Sequence, residues 1–231
     1  MIKVNAVYFS CGRDEEMMMD SIESLRRVYC VNKIFVASDM RDPIKNKVDD
    51  IIYIDKLNSS EKLYGLDNIK EMLKIFKVAA EDCDYVQKID SDVIVCSDYA
   101  YKELEENEWS YFASFPMAIE SMIPKNHGAG PSYFIKSEVA GRLIDIAFPE
   151  SVKAWQAFDF PEDMVTSHLV NKLTDNIFID GTAMHQNGKY LFDTYLTNIA
   201  AESKEYIETY GFAHTRTNPR VAKYILSKLK S

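Results

Sequence analysis

The sequence is poor in the features that would assign it quickly. Its four cysteines, Cys11, Cys30, Cys83 and Cys96, are scattered, with no C-x-x-C pair and no Cys/His cluster. That spacing excludes the usual structural zinc sites, and reduced thiols are the simpler expectation for a chain of 231 residues, which is large enough to do without disulfides. Positive charge is in deficit: 27 Lys and Arg against 36 Asp and Glu give a net charge of -9. An extended duplex-binding surface needs clustered cations, so that class is disfavoured, while an acidic balance suits a protein that recruits metal cations. No apolar run approaches the length of a membrane span. The opening residues, Met1 to Ser10, read as a strand rather than a signal peptide, which leads to an expected cytoplasmic location. No linker, repeat or low-complexity tract divides the chain. The expectation is one domain over residues 1–231, with a nucleotide-binding half at 1–98 and an acceptor or catalytic half at 99–231.

What is present is a core. Nearly half the residues are apolar, 47%, and 12% are aromatic, the composition of a globular domain. Residues 4–10 form a short apolar run ended by Cys11-Gly12-Arg13-Asp14, which predicts a buried first strand. Residues 15–28 follow with Met18, Ile22, Leu25 and Val28 at three- and four-residue spacing, the stripe of an amphipathic helix. Strands are predicted at 33–37 and 50–54. A helix at 66–80 has Ile69, Leu73, Phe76 and Ala80 on one face, and a strand follows at 85–89. Strands alternating with helices predict an α/β fold with a mostly parallel sheet flanked by helices. Further on, strands are expected at 109–115 and 132–135, and helices at 137–147, with Ser137 as its cap, at 162–173 after Pro161, and at 221–229.

The most informative feature is Asp90-Ser91-Asp92, set inside the apolar run from Tyr85 to Val95. A D-x-D pair is common in a chain this rich in aspartate, and Asp82-Cys83-Asp84 is another. That second pair lies between a helical segment and the run, as a solvated turn would. Asp90 and Asp92 interrupt the run itself. Buried carboxylates require a partner, and a divalent cation that also grips a diphosphate is one solution. In parallel α/β sheets ligands bind beyond the carboxyl ends of the strands, and Ser10, Asp39 and Asp90 all fall at predicted strand ends.

The order of signals is an Asp pair after a core strand, a glycine loop at Gly128-Ala129-Gly130, an acidic pair Glu162-Asp163 opening a helix, and a late His214. This resembles the GT-A glycosyltransferases, over most of the chain. The tail Phe212-Ala213-His214-Thr215-Arg216-Thr217-Asn218-Pro219-Arg220 is similar, more locally, to the metal-binding His-(Ser/Thr)-Arg segment of β-1,4-galactosyltransferases. The Trp-Gly-Trp-Gly segment of those enzymes is absent, so their substrate is not carried over.

The resemblance implies a metal-dependent transferase that moves a sugar from a nucleotide-diphospho-sugar, UDP-linked by preference, to an acceptor hydroxyl with inversion. Asp92 would ligate Mn2+ or Mg2+, with Asp90 in the metal shell or at the ribose. His214 would complete the metal site, with His185 as the rival ligand, and an imidazole favours Mn2+. Asp163, paired with Glu162, would be the base for the acceptor hydroxyl. Ser10, Arg13 and Asp39 would hold the nucleoside, Gly128 and Gly130 would let backbone approach the donor sugar, and Arg216 would meet the diphosphate. Lys88 would either balance the acidic site or lead its charge out to solvent.

Each residue also has an ordinary reading. Acidic residues suit a first helical turn, a loop histidine bonds locally, Asp39 can cap a turn, and Trp155, Phe158 and Phe160 can be core rather than sugar-stacking. The open alternatives are a retaining transferase, a sugar-nucleotide nucleotidyltransferase and a non-catalytic binding module. The acceptor is open among glycans, lipid-linked glycans, proteins and modified nucleobases.

Overall fold

The structure is a computed structural model and describes residues 1–57, 66–114, 131–147, 162–180, 191–193 and 203–231. Its main sheet has seven strands: β1 (Val4–Ser10), β2 (Val31–Asp39), β3 (Ile51–Leu57), β4 (Tyr85–Asp90), β6 (Tyr111–Ser114), β7 (Ser132–Lys136) and β8 (Ile177–Asp180), in the order β3-β2-β1-β4-β7-β6-β8. Only β7 runs against the others. A smaller sheet joins β5 (Val93–Val95), β10 (Phe212–His214) and β9 (Leu191–Asp193) in the order β5-β10-β9.

Side chains alternate between the two faces of each strand, and because both faces are covered the inner strands are buried almost continuously. In β1, Val4, Ala6 and Tyr8 enter one core with Met18, Ile22 and Leu25 of α1 (Glu15–Leu25) and Tyr101 of α3 (Tyr99–Asn107). Val7 enters the other core, with Leu73 and Phe76 of α2 (Leu66–Ala79), Leu143 of α4 (Ser137–Ile146) and Leu169 of α5 (Glu162–Asn171). Each fully buried side chain of this size contributes about 1.5–3 kcal/mol. After α5 come the short α6 (Lys204–Ile207) and the terminal α7 (Pro219–Lys230), whose Ala222, Ile225 and Leu229 pack with Ile94 and Met17. Among the described residues no helix is long and apolar enough to cross a membrane.

The expected α/β architecture is present, with three local differences. The apolar run 85–95 holds a second strand beyond the expected one at 85–89, because the chain turns at Ser91-Asp92 and β5 leaves for the second sheet. Helix α3 carries too few apolar residues to announce itself, and ends where Glu108 turns left-handed at φ 52°. Ser137 is the first helical residue of α4 rather than its cap. Its hydroxyl donates instead to the Cys83 carbonyl at 2.7 Å.

Candidate functional site

β1, β2 and β4 are parallel neighbours, so their carboxyl ends fall side by side: Phe9 is opposite Asp90 and Ser10 opposite Ser38. The Ser10 hydroxyl is buried, and no hydrogen-bond partner for it is found among the described residues. Asp39 is buried too, but its Oδ1 accepts the Arg41 amide at 2.8 Å, so its carboxylate closes the turn after β2. Arg13 is exposed and lies 3.5 Å from Asp42 of the loop after β2. The loops after β1 and β2 are stitched together there: the Gly12 amide donates to the Asp42 carbonyl at 2.7 Å, and a Cβ on Gly12 would stand 2.4 Å from Asp42 Oδ1.

Asp90 ends β4 and Asp92 lies in the turn before β5. The second sheet then brings the tail back, because β10 pairs antiparallel with β5 and sets His214 opposite Val93. Four contacts lock the two segments. The Thr215 amide and hydroxyl both donate to the Asp92 carbonyl, at 2.8 and 2.9 Å. The Thr217 amide donates to Asp92 Oδ2 at 2.8 Å, and His214 Nε2 lies 3.3 Å from the same oxygen. Arg216 and Thr217 are both left-handed, at φ 54° and 57°, a conformation that costs a non-glycine residue on the order of 1–3 kcal/mol and that here aims the Thr217 amide at the carboxylate. Burial alone would raise the Asp92 carboxyl, but His214 and the Thr217 amide outweigh it and hold the group below the usual carboxylate range.

Asp90 faces a different partner. Lys88 is only 5% exposed, and its Nζ lies 2.5 Å from Asp90 Oδ1 and 3.8 Å from Glu162 Oε2. It also stands 5.8 Å from the centre of the Tyr133 ring, its register partner on β7. Burial would lower the Lys88 pKa, yet the two carboxylates raise it, so the ammonium stays charged. Burial pushes the Asp90 carboxyl up against the pull of Lys88. Glu162 is buried at the start of α5, accepts from the Tyr133 hydroxyl, and lies 3.3 Å from Thr166 Oγ1. Asp163 is less buried, and its Oδ1 accepts the Met164 amide at 2.9 Å.

The geometry thus brings Asp92 to His214, and Lys88 to Asp90 and Glu162. Gly128, Gly130, His185, Trp155, Phe158 and Phe160 lie outside the described residues. Among the described residues, no three His, Cys, Asp or Glu side chains form a ready cage for a metal ion. Sequence reasoning passed over Tyr133, Thr215 and Thr217. The alternation of β7 is the one signal that could have paired Tyr133 with Lys88. Asp193 was passed over as well, and β9 sets it beside His214 in register.

No protein-family model matches the chain, and no curated protein sequence matches it. Solved structures do. One is the galactosyltransferase LgtC in complex with donor and acceptor sugar analogues, at TM-score 0.60 and 12% identity over 98% of this chain and 96% of that one. Another is an active-site mutant of LgtC, at TM-score 0.62 and 11% identity, with the same coverage of both chains. At such identity the likeness is one of architecture, and the mostly parallel seven-stranded sheet flanked by helices is the GT-A glycosyltransferase fold.

Proposed function

We propose that this protein is a glycosyltransferase that moves a sugar from a nucleotide-diphospho-sugar, UDP-linked in the first instance, to an acceptor hydroxyl. The observation that carries the reading is the meeting of Asp92 and His214, 3.3 Å apart, at the carboxyl edge of a sheet whose architecture is shared with LgtC, a galactosyltransferase crystallised with donor and acceptor sugar analogues.

The donor set suits a divalent cation. Asp92 offers a hard oxygen on a carboxylate held ionised, and His214 offers an imidazole nitrogen, a pair that favours Mn2+ over Mg2+. When bound, such a cation neutralises charge on a leaving diphosphate. Asp92 and His214 would hold it, and the Thr215 and Thr217 contacts keep Asp92 oriented for the purpose. Ser10, with its buried hydroxyl, Asp39 and Arg13 frame the neighbouring strand ends where the nucleoside would lie, with Gly128 and Gly130 proposed for the donor sugar and Arg216 for the diphosphate. Because Glu162 is engaged by Lys88, Tyr133 and Thr166, the less buried Asp163 is the better candidate to take the acceptor's proton. A base placed there would support transfer with inversion at C1.

The test is a thermal-shift screen of nucleotide sugars with and without Mn2+. Binding to the folded state raises stability by about 2.7 kcal/mol at a hundredfold excess over Kd. The expected result is a rise in Tm for a UDP-sugar that needs Mn2+ and disappears in Asp92→Asn. If no nucleotide sugar shifts the transition with Mn2+ present, the reading fails.

A further inference from the structure

Asp90 and Asp92 stand two residues apart in different electrostatic company. The Asp92 carboxylate meets an imidazole and a backbone amide. Asp90 meets a buried ammonium at 2.5 Å. Lys88 holds Asp90 Oδ1, an ammonium offers no lone pair of its own to a metal, and its charge repels a dication at close range. Lys88 cannot readily swing away. Its side chain is 95% enclosed, Glu162 anchors it from α5 and the Tyr133 ring lies beside it. Among the described residues there is correspondingly no three-ligand cage.

We propose that Lys88 is the built-in cation of Asp90 and keeps that carboxylate out of the metal's ligand set. Asp92 and His214 then supply the protein's share of the ligands, and the donor diphosphate supplies others. This rests on the glycosyltransferase reading above and adds a positioning role for Lys88. Its consequence is that the protein alone holds metal weakly, and that metal and nucleotide strengthen one another reciprocally.

The experiment is titration of the full chain with Mn2+, with and without UDP, followed by calorimetry and by the electron paramagnetic resonance signal of free Mn2+. Asp92→Asn and His214→Ala are expected to weaken Mn2+ binding by roughly tenfold or more, and Asp90→Asn to leave it within about twofold. Lys88→Met combined with Glu162→Gln removes the ammonium together with one buried carboxylate, so the core is not left with two unpaired anions. In that variant, checked for folding by circular dichroism, Mn2+ affinity is expected to rise roughly tenfold as Asp90 becomes available, and the gain should vanish when Asp90→Asn is added. An Asp90→Asn loss as large as that of Asp92→Asn overturns the proposal, as does an unchanged affinity in the folded double variant. Metal binding is read without sugar transfer. A chain that transfers sugar but loses metal in Asp90→Asn therefore refutes the role of Lys88 alone. Conversely, the expected asymmetry without any transfer refutes the transferase reading. A wild-type chain that takes up no Mn2+ even with UDP overturns both.

Discussion

Lys88 lies between the part-exposed Asp90 and the buried Glu162, and one ammonium cannot fully neutralise both carboxylates. Glu162 shows the result: burial first, with Asp163 and Asp90 adding to it against the pull of Lys88 and Tyr133, pushes its carboxyl up to about 7. The folded protein therefore binds a proton at Glu162 over a range in which the unfolded chain has released it. Between the unfolded value of 4.5 and about 7, stability contributed by this group falls as pH rises, and above that range the penalty is constant. Urea denaturation at pH 5 and pH 7.5 is expected to show the wild type losing up to about 3 kcal/mol from this source, and Glu162→Gln should flatten the difference. An equal pH dependence in that variant would assign the effect to another group. The sequence placed an acidic pair at the start of a helix, and only the resemblance set Asp163 apart from Glu162 as the base. Burial separates them, since Glu162 points its charge into the network while Asp163 bonds its own helix.

Among the elements, α7 connects stability to the site most directly. Asn218 caps it by accepting from the Arg220 and Val221 amides at 3.2 and 3.3 Å, and Pro219 occupies the first turn, where no amide is needed. The residues just before that cap, Arg216 and Thr217, form the left-handed turn on Asp92. Asn218→Ala is expected to cost about 1 kcal/mol of stability, read from the urea midpoint at unchanged m-value. A midpoint equal to wild type would show that the turn and Pro219 hold the helix start unaided. The contrast with Ser137 is instructive. Both are good capping residues, but the Ser137 hydroxyl is taken by Cys83, and its amide by the Asp84 carbonyl at 2.9 Å. Capping propensity is a local preference that a tertiary contact can override.

At the scale of the molecule, the two sheets are joined through β10. Phe212 packs its ring against Tyr101 and Phe134 at centroid distances of 6.2 and 5.9 Å, while His214, two residues on, stands at Asp92. One three-residue strand therefore carries both a core anchor and a proposed metal ligand. Phe212→Ala is expected to cost about 3–5 kcal/mol and to weaken Mn2+ binding together with stability, measured by denaturation and by metal titration on the folded fraction. Stability loss with intact metal affinity would show that the turn at 215–217 positions His214 independently of the core.

Apolar periodicity by itself determined the alternation of strand and helix through β4, and hence the mostly parallel sheet and the strand ends where ligands collect. It also marked Asp90 and Asp92 as charges out of place in a core run. Both follow from patterns two to four residues long, which is the range over which backbone geometry is repeated. Tertiary structure alone decided which partner each aspartate meets. Lys88 and Glu162 are brought together by the register of β4 with β7 and the packing of α5 beneath them, and Asp92 and His214 by a second sheet whose short strands have no pattern long enough to read. Such pairings join residues far apart in the chain, and no local window contains them. The D-x-D triplet is thus visible in one line of sequence, while the division of its two carboxylates between a lysine and a histidine exists only in the fold.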